Sequence, residues 1–367
     1  MKYTKPMKPE PKPAVASAEL TRPDWTAGKR RDEAMLWLDK NENADPQLAQ
    51  VVAEVAAAMP ASVGYSYPDH GPLYHKLAEW VGLTPENMIL AAGSDGLIRA
   101  TFEAFISPGD KVVHTAPTFA MYFVYSKMYG AEEVPVVYSV SDEGPVLAAD
   151  DLIGTIRDNH PRAVFLPNPD SPTGTVFAPG EIRAIVQSAV DVGAVMLIDE
   201  AYYPFHDETC LPWVSEFSNL VVIRSTGKAW GLAGYRIGYG AAAPELAEAL
   251  HKVKAMYEAG AVAAYMLEGM LDHSDDMRAS VRRLQAGKAA FLGAMQRLGL
   301  KVLHGKGNFL HVAFGDHASA VHEALADLVY YRQDFKDPCL KGYSRFSATT
   351  PVQFDPIIER IEKVIKA

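Results

Sequence analysis

The sequence predicts an α/β protein: a large, doubly wound, mostly parallel sheet layer followed by a smaller α+β domain. Three observations predict it. Short apolar runs and amphipathic helical segments alternate from about residue 46 to Pro244. Ala194-Val195-Met196-Leu197-Ile198 is continuously apolar, as a parallel strand covered on both faces should be. After Pro244 the texture turns helical to about Leu298 and then mixed. The expected division is an arm and connecting segment over 1–45, the large domain over 46–258 and the small domain over 259–367.

In chain order, MKYTKPMKPEPKP is rich in lysine and proline and has no apolar stretch, so it reads as a disordered arm ending near Leu20, not as a signal peptide. Leu73 to Val81 is a helix. Met88 to Ala92 is a short buried strand, and Gly93-Ser94-Asp95-Gly96 opens a helix through Phe105. Lys111 to Ala116 is a strand, with a helix from about Phe119 and a strand from Val134 to Tyr138. Ala163 to Leu166 is a buried strand that stops at Pro167-Asn168-Pro169. Ile182, Ile185, Val186, Ala189 and Val190 recur at helical spacing, which predicts a helix over 180–192. Leu220 to Arg224 is a further strand. Phe309 to Phe314, a helix near 318–329, a strand near 343–347 and a helix from 355 complete the small domain.

Composition removes several functions. The 367 residues carry 35 Lys and Arg against 45 Asp and Glu, a net charge of −10, which argues against a nucleic-acid or anionic-membrane binder. Cys210 and Cys339 are the only cysteines, too few for a disulfide framework or a Cys-only metal site, and they suit a reducing, cytoplasmic compartment. No apolar run reaches the ~18–20 residues of a membrane span. No metal site is expected.

Ligands of open α/β sheets sit beyond the carboxyl ends of the strands. Four segments there carry chemistry. Gly93-Ser94-Asp95-Gly96 offers free N–H groups at a helix start, a phosphate cradle, though the same residues would also serve as an ordinary capped turn. Asn168-Pro169-Asp170-Ser171-Pro172-Thr173-Gly174 is a rigid polar turn. Asp199-Glu200-Ala201-Tyr202 ends the most apolar strand, where a carboxylate needs a partner and a cationic ring nitrogen would serve; backbone N–H groups would serve as well. Ser225-Thr226-Gly227-Lys228 places a lysine among small residues, with Arg236 nearby to grip a phosphate. Partial burial would free the Lys228 amine to form an imine. Jointly these describe a pyridoxal-phosphate site: Lys228 for the aldehyde, Asp199 for the ring nitrogen, the glycine turn and Arg236 for the phosphate.

From Leu38 onward the chain resembles fold-type I aminotransferases of the class I/II group, and most closely their histidinol-phosphate aminotransferase branch. The segments that carry the resemblance are LDKNENADP, YSYPDHG, AAGSDG, APTFAMY, IDEAYYPF, VVIRSTGKAWGLAGYRIGYG and GYSRFSATT. The resemblance implies pyridoxal 5'-phosphate as cofactor, with Lys228 as the Schiff-base residue and Asp199 and Tyr202 on the pyridine nitrogen and ring hydroxyl. It implies Phe119 stacked on the ring, and Gly93, Ser94, Asp95 and Arg236 around the phosphate. Asn168 and Ser171 are expected on the cofactor from the polar turn. Tyr67 would reach the phosphate of a neighbouring subunit, which implies a homodimer. Arg345 would clamp the substrate anion, Arg332 resembles the arginine that this branch directs at a substrate phosphate, and Asn43 is expected among the substrate contacts. Two positions depart from the family. Ser171 stands where an asparagine normally bonds the ring hydroxyl, and Gly227 where a serine normally binds phosphate, so Ser225 is the expected substitute. The implied activity is amino transfer between an amino acid or phosphorylated amine and a 2-oxo acid. The competing readings are a decarboxylase or lyase on the same scaffold and a non-catalytic binding protein.

Overall fold

A computed structural model describes residues 9–21, 26–28 and 30–367. The expected disordered arm therefore lies in part outside the described residues. Its described portion forms a one-turn helix, α1 (Pro13–Ala16). Strand β1 (Leu36–Trp37) and helices α2 (Pro46–Ala57), α3 (Ser62–Tyr65) and α4 (Gly71–Val81) follow. The alternating region then runs β2 (Met88–Ala91), α5 (Ser94–Phe105), β3 (Lys111–Ala116), α6 (Met121–Tyr129), β4 (Glu132–Val137), the hairpin β5 (Ser139–Ser141) and β6 (Gly144–Val146), and α7 (Ala149–Asn159). It continues with β7 (Ala163–Pro167), α8 (Pro179–Asp191), β8 (Val195–Asp199), β9 (Leu220–Ser225), β10 (Gly238–Ala242) and α9 (Pro244–Val253). The remainder is α10 (Ala261–Asp272), α11 (Ser274–Arg297), β11 (Lys301–Leu303), β12 (Phe309–Ala313), α12 (Ala318–Leu325), β13 (Val329–Tyr330), β14 (Tyr343–Ser347) and α13 (Pro351–Ile365). Helix α1 packs on α6, with Glu19 3.0 Å from the Lys127 ammonium.

Among the described residues the large sheet has seven strands in the order β2-β10-β9-β8-β7-β3-β4. Its parallel pairs are β3 with β4 and β7, β7 with β8, and β8 with β9; β10 alone runs antiparallel to its neighbours. Every residue of β7 and β8 is buried. The pleat sends Val164, Leu166, Met196 and Ile198 into one core and Phe165, Val195 and Leu197 into another. Helices on both faces supply the rest of each core, as expected of a doubly wound layer. A third core, around Phe291, Leu310, Phe346 and Phe354, holds the smaller sheet β11-β12-β14 against α11 and α13.

The packing departs from the expected division at residue 258. Met266, Leu267 and Met270 of α10, with Met277, Val281 and Leu284 of α11, join the core of the large layer, whereas Phe291 and Met295 of α11 join the third core. Helix α11 thus belongs to both bodies. Conversely β1 pairs parallel with β13, which ties the connecting segment to the smaller unit.

Several elements differ from expectation, among them helices α2 and α7 and the β5–β6 hairpin, which the sequence reading did not name. The helix expected over 318–329 ends at Leu325, because the chain must turn to give β13. The last helix begins at Pro351, since proline suits a first helical turn, and it carries Pro356 within its own second turn. Strand β10 was not expected: Gly238-Tyr239-Gly240-Ala241-Ala242 has weak strand propensity, yet it lies between β2 and β9.

Candidate active site

The carboxyl ends of β3, β7, β8 and β9 lie side by side, with Pro167 opposite Asp199 and Asp199 opposite Ile223. Asp199, the last residue of β8, is 5% exposed. Its Oδ1 accepts from the Ala201 N–H at 2.9 Å and its Oδ2 from the Tyr122 hydroxyl at 3.0 Å. Burial pushes its carboxyl up to about 6, against the pull of those two donors. Such a group calls for a cationic neighbour on its open side.

The turn after β2 forms the opposite end of the site. Gly93 has φ +83, and a Cβ there would lie 2.6 Å from Arg236 Nη2. A Cβ on Gly238 would strike the Ser94 nitrogen. Only glycine lets the start of α5, the guanidinium of Arg236 and β10 approach so closely, which accounts for the weak strand sequence of β10. Arg236 itself holds φ +54, a left-handed conformation uncommon for a residue with a side chain. Ser94 and Asp95 line the cavity above this turn, and Tyr125 donates its hydroxyl to Asp95 at 3.1 Å.

Lys228 follows β9. Its Nζ donates to the Lys40 carbonyl at 2.9 Å. Burial, together with the cations Arg345 and Arg236, brings its amine down to about 8, with Glu42 and Asp199 opposing. Near neutral pH a useful fraction is therefore the free amine, the form that attacks a carbonyl.

A cavity of about 160 Å³ is lined by Ser94, Asp95, Phe119, Pro167, Pro169, Ser171, Asp199, Tyr202, Ser225, Lys228 and Arg236, among others. It joins a wider cavity of about 620 Å³ through Phe119, Ser171, Tyr202 and Lys228. The inner donor set fits pyridoxal 5'-phosphate: an amine for its aldehyde, a buried carboxyl for its ring nitrogen, and a glycine turn with an arginine for its phosphate. Gly227, with its N–H 3.2 Å from the Ser225 hydroxyl, is packed against Ala233, so the cavity is lined by Ser225 instead.

Two arginines help line the wider cavity. Arg332 and Arg345 are bridged by backbone hydrogen bonds of 3.0 and 2.8 Å. Arg345, 6% exposed, donates from Nη2 to the Asp39 carbonyl at 3.1 Å, and its Nε has no partner among the described residues. Among the described residues neither guanidinium forms an ion pair, while Phe335 lies under both. Burial and the charge of Arg332 hold the Arg345 guanidinium below its usual range. Two adjacent cations, one with an idle buried donor, make an anion site.

Most residues expected from the sequence are thus brought together: Ser94, Asp95, Phe119, Ser171, Asp199, Tyr202, Ser225, Lys228 and Arg236 line the inner cavity, and Arg332 and Arg345 the outer one. Three are not. Asn43 donates to the Ala229 carbonyl and the Ser280 hydroxyl, both at 3.1 Å, and lines neither cavity. Its place is taken by Asn41, whose Nδ2 donates to the Tyr202 hydroxyl at 2.9 Å. Asn168 spends its Oδ1 on the Phe177 N–H, 3.0 Å away, and braces the turn from behind. Tyr67 is 81% exposed and stacks on Tyr257 with ring centroids 4.8 Å apart, outside its own chain's site. Sequence reasoning also missed Tyr122, because a tyrosine inside a helix with many aromatic neighbours reads as core.

The sequence profile of the family described as aminotransferase class I and II matches residues 33–361. A histidinol-phosphate aminotransferase of Thermoanaerobacter sp. (strain X514) is 31% identical over 332 residues, 89% of this chain and 92% of that protein. One from Roseiflexus castenholzii is 32% identical over 345 residues, 90% of each chain. The structure of the Sinorhizobium meliloti histidinol-phosphate aminotransferase in complex with pyridoxal 5'-phosphate superimposes with a TM-score of 0.78, at 22% identity and 91% coverage of each chain. Aspartate aminotransferase from Thermus thermophilus with maleate gives 0.73, at 21% identity, over 90% of this chain and 92% of that one. With the lysine, the buried aspartate and the glycine–arginine cradle grouped in one cavity, and with a match that spans nearly the whole chain, this protein belongs to the class I and II aminotransferases, enzymes that use pyridoxal 5'-phosphate.

Proposed function

We propose that this chain moves the amino group of a phosphorylated amine resembling histidinol phosphate onto a 2-oxo acid, a reading supported by relatives named histidinol-phosphate aminotransferase. The observation that carries the substrate class is the Arg332–Arg345 pair, two guanidiniums that line the wider cavity and form no ion pair among the described residues. A monoanionic carboxylate needs one such cation; a phosphate dianion uses both.

When bound, pyridoxal phosphate supplies an aldehyde for the substrate amine and an electron-accepting ring. The chain's own groups do the rest. Asp199 keeps the proton on the ring nitrogen. Tyr202, bonded by Asn41, holds the ring hydroxyl side. Lys228 Nζ, free as the neutral amine near pH 8, carries the proton to and from the substrate Cα. Arg345 and Arg332 anchor the far end of the substrate, so that its Cα–H faces Lys228.

The working unit in this reading is a homodimer in which Tyr67 reaches the neighbouring site. Its support is an exposed apolar patch of Tyr65, Tyr67, Met256 and Tyr257. A cytoplasmic location fits two buried, unpaired cysteines. The two bodies of the reading meet along α11 rather than at residue 258. The deciding experiment loads the protein with cofactor and screens histidinol phosphate, glutamate and aromatic amino acids as donors, following the cofactor's spectral change and the keto product. Histidinol phosphate is expected to be the best donor. Carbon dioxide release in place of a keto product would refute amino transfer, and a preference for monocarboxylate donors would refute the role of Arg332.

A further inference from the structure

Asp170 has no role in the chemistry above, yet it is 0% exposed, and among the described residues it forms no ion pair. Its Oδ1 accepts from the Thr118 hydroxyl at 2.8 Å. Its Oδ2 accepts from Thr115 at 2.5 Å and from Tyr138 at 2.8 Å. Three hydroxyls from two separate segments thus converge on one carboxyl. Thr115 is near the end of β3, Thr118 directly precedes Phe119, and Tyr138 directly follows β4. Tyr138 also accepts from Thr175 at 2.7 Å, which returns the network to the turn that carries Asp170. The Asp170 backbone closes that turn, with its N–H 2.9 Å from the Thr175 carbonyl and its carbonyl 2.8 Å from the Gly174 N–H.

The network thus joins the segment from Thr115 to Phe119 to the turn that carries Asp170, and both contribute to the lining of the cofactor cavity. One carries Phe119. The other carries Ser171, whose hydroxyl faces that of Tyr202. Resting on the reading that this cavity takes pyridoxal phosphate, we propose that Asp170 is a positioning residue that holds the Phe119 wall and the Ser171 wall at a fixed separation around the ring. A buried carboxyl without a cation is costly, and burial pushes this one up to about 7. The groups that face it are the three hydroxyl donors, with Tyr122 and Cys339 beyond them. A neutral side chain would serve mere space-filling better. What a carboxyl adds is the capacity to accept from several hydroxyls at once. Ser171 is shorter than the family's asparagine, so its reach depends on the wall being held in place.

The test uses the full-length protein with Asp170→Asn, Thr118→Val and the double variant. Four quantities are read: the dissociation constant of pyridoxal phosphate, the visible absorption maximum of the loaded protein, kcat and KM separately, and the melting temperature. Each single variant is expected to bind the cofactor about 5–30-fold more weakly, as loss of one or two such bonds implies. Each should also shift the absorption maximum and lower kcat with little change in KM. The double variant should be no worse than Asp170→Asn, because both act through one contact. Unchanged cofactor affinity and spectrum in both single variants, with only the melting temperature lowered, would overturn the proposal. If Asp170→Asn does not fold, Thr118→Val decides by the same criteria. Failure of the wild-type protein to bind pyridoxal phosphate would instead overturn the cofactor reading itself, and this proposal with it.

Discussion

Replacing Tyr122 with phenylalanine removes one hydroxyl, and the hydrogen bond it donates, from the centre of the site. Its hydroxyl is the one side-chain donor bonded to Asp199 among the described residues, at 3.0 Å, and both groups are buried. A hydrogen bond to a charged acceptor contributes about 1.5–3 kcal/mol. One pKa unit corresponds to 1.36 kcal/mol, so its loss should raise the Asp199 carboxyl by about 1–2 units, from about 6 to roughly 7–8. The ionised carboxylate binds a protonated ring nitrogen and the neutral acid does not. Cofactor affinity should therefore fall as pH drops through the carboxyl's titration, and that fall should begin at higher pH in the variant.

The assay is the dissociation constant of pyridoxal phosphate for the apoprotein between about pH 5 and 9, wild type against Tyr122→Phe. Titration of the cofactor's own phosphate and ring nitrogen is common to both proteins and cancels in the comparison. We expect the two curves to converge at high pH, where both carboxylates are ionised, and to separate progressively as pH falls, levelling off at about 10–100-fold below about pH 6. Identical pH midpoints would show that Tyr122 does not tune Asp199, and the argument from this hydrogen bond would fail.

Lys228→Ala should abolish steady-state turnover, lowering kcat by at least about 10³-fold in single-turnover measurements. Arg332→Ala should raise KM for a phosphorylated donor about 10–100-fold, by loss of a charge-assisted contact. The half-reaction with glutamate should be nearly unaffected, a contrast visible in stopped-flow absorbance. Asp199→Asn should stabilise the apoprotein while destroying its activity. The native carboxyl is raised from 3.8 to about 6, so the native state holds its proton longer than the unfolded chain does. Stability from that source is present below pH 3.8 and is lost as pH rises through about 6. Above that pH the neutral asparagine should gain about 1–3 kcal/mol over the wild type, and at pH 4 almost nothing, as read by urea denaturation.

The parts of this molecule that were legible in the sequence are those whose cause is local. The run from Val195 to Ile198 reads as a central strand because burial on both faces demands apolar residues without alternation. Lys228, Asp199 and Arg236 stand out because charged residues at the ends of such strands have few structural uses. The parts not legible depend on contacts made far along the chain. Strand β10 is built of small residues because the start of α5 presses on Gly238, a constraint absent from its own neighbourhood. Asn41 and Asn43 are two residues apart in one motif, and only the left-handed turn at Asn41, φ +56, decides which reaches Tyr202. Arg332 was placed by spacing alone. Its pairing with Arg345 depends on a backbone bridge that spacing does not reveal. Tyr122 and Asp170 were passed over because an aromatic residue in a helix and an acid in a turn have ordinary explanations until their partners are known.

Three charged groups of the two cavities share one electrostatic condition. The cavities hold a carboxyl raised to about 6, an amine lowered to about 8 and an arginine whose charge is disfavoured by burial and by a second arginine. Each shift has the sign of a group held away from the partner it needs. A cofactor with a cationic ring nitrogen, an aldehyde and a phosphate answers the first two, and an anionic substrate answers the arginines. Folding alone does not explain such a set: apolar residues of similar size would fill the same space at less cost, since an unpaired buried charge destabilises the native state. The cost of these buried groups is thus partly recovered when a ligand of complementary charge binds, and a variant that relieves one group should gain apoprotein stability while losing cofactor or substrate binding.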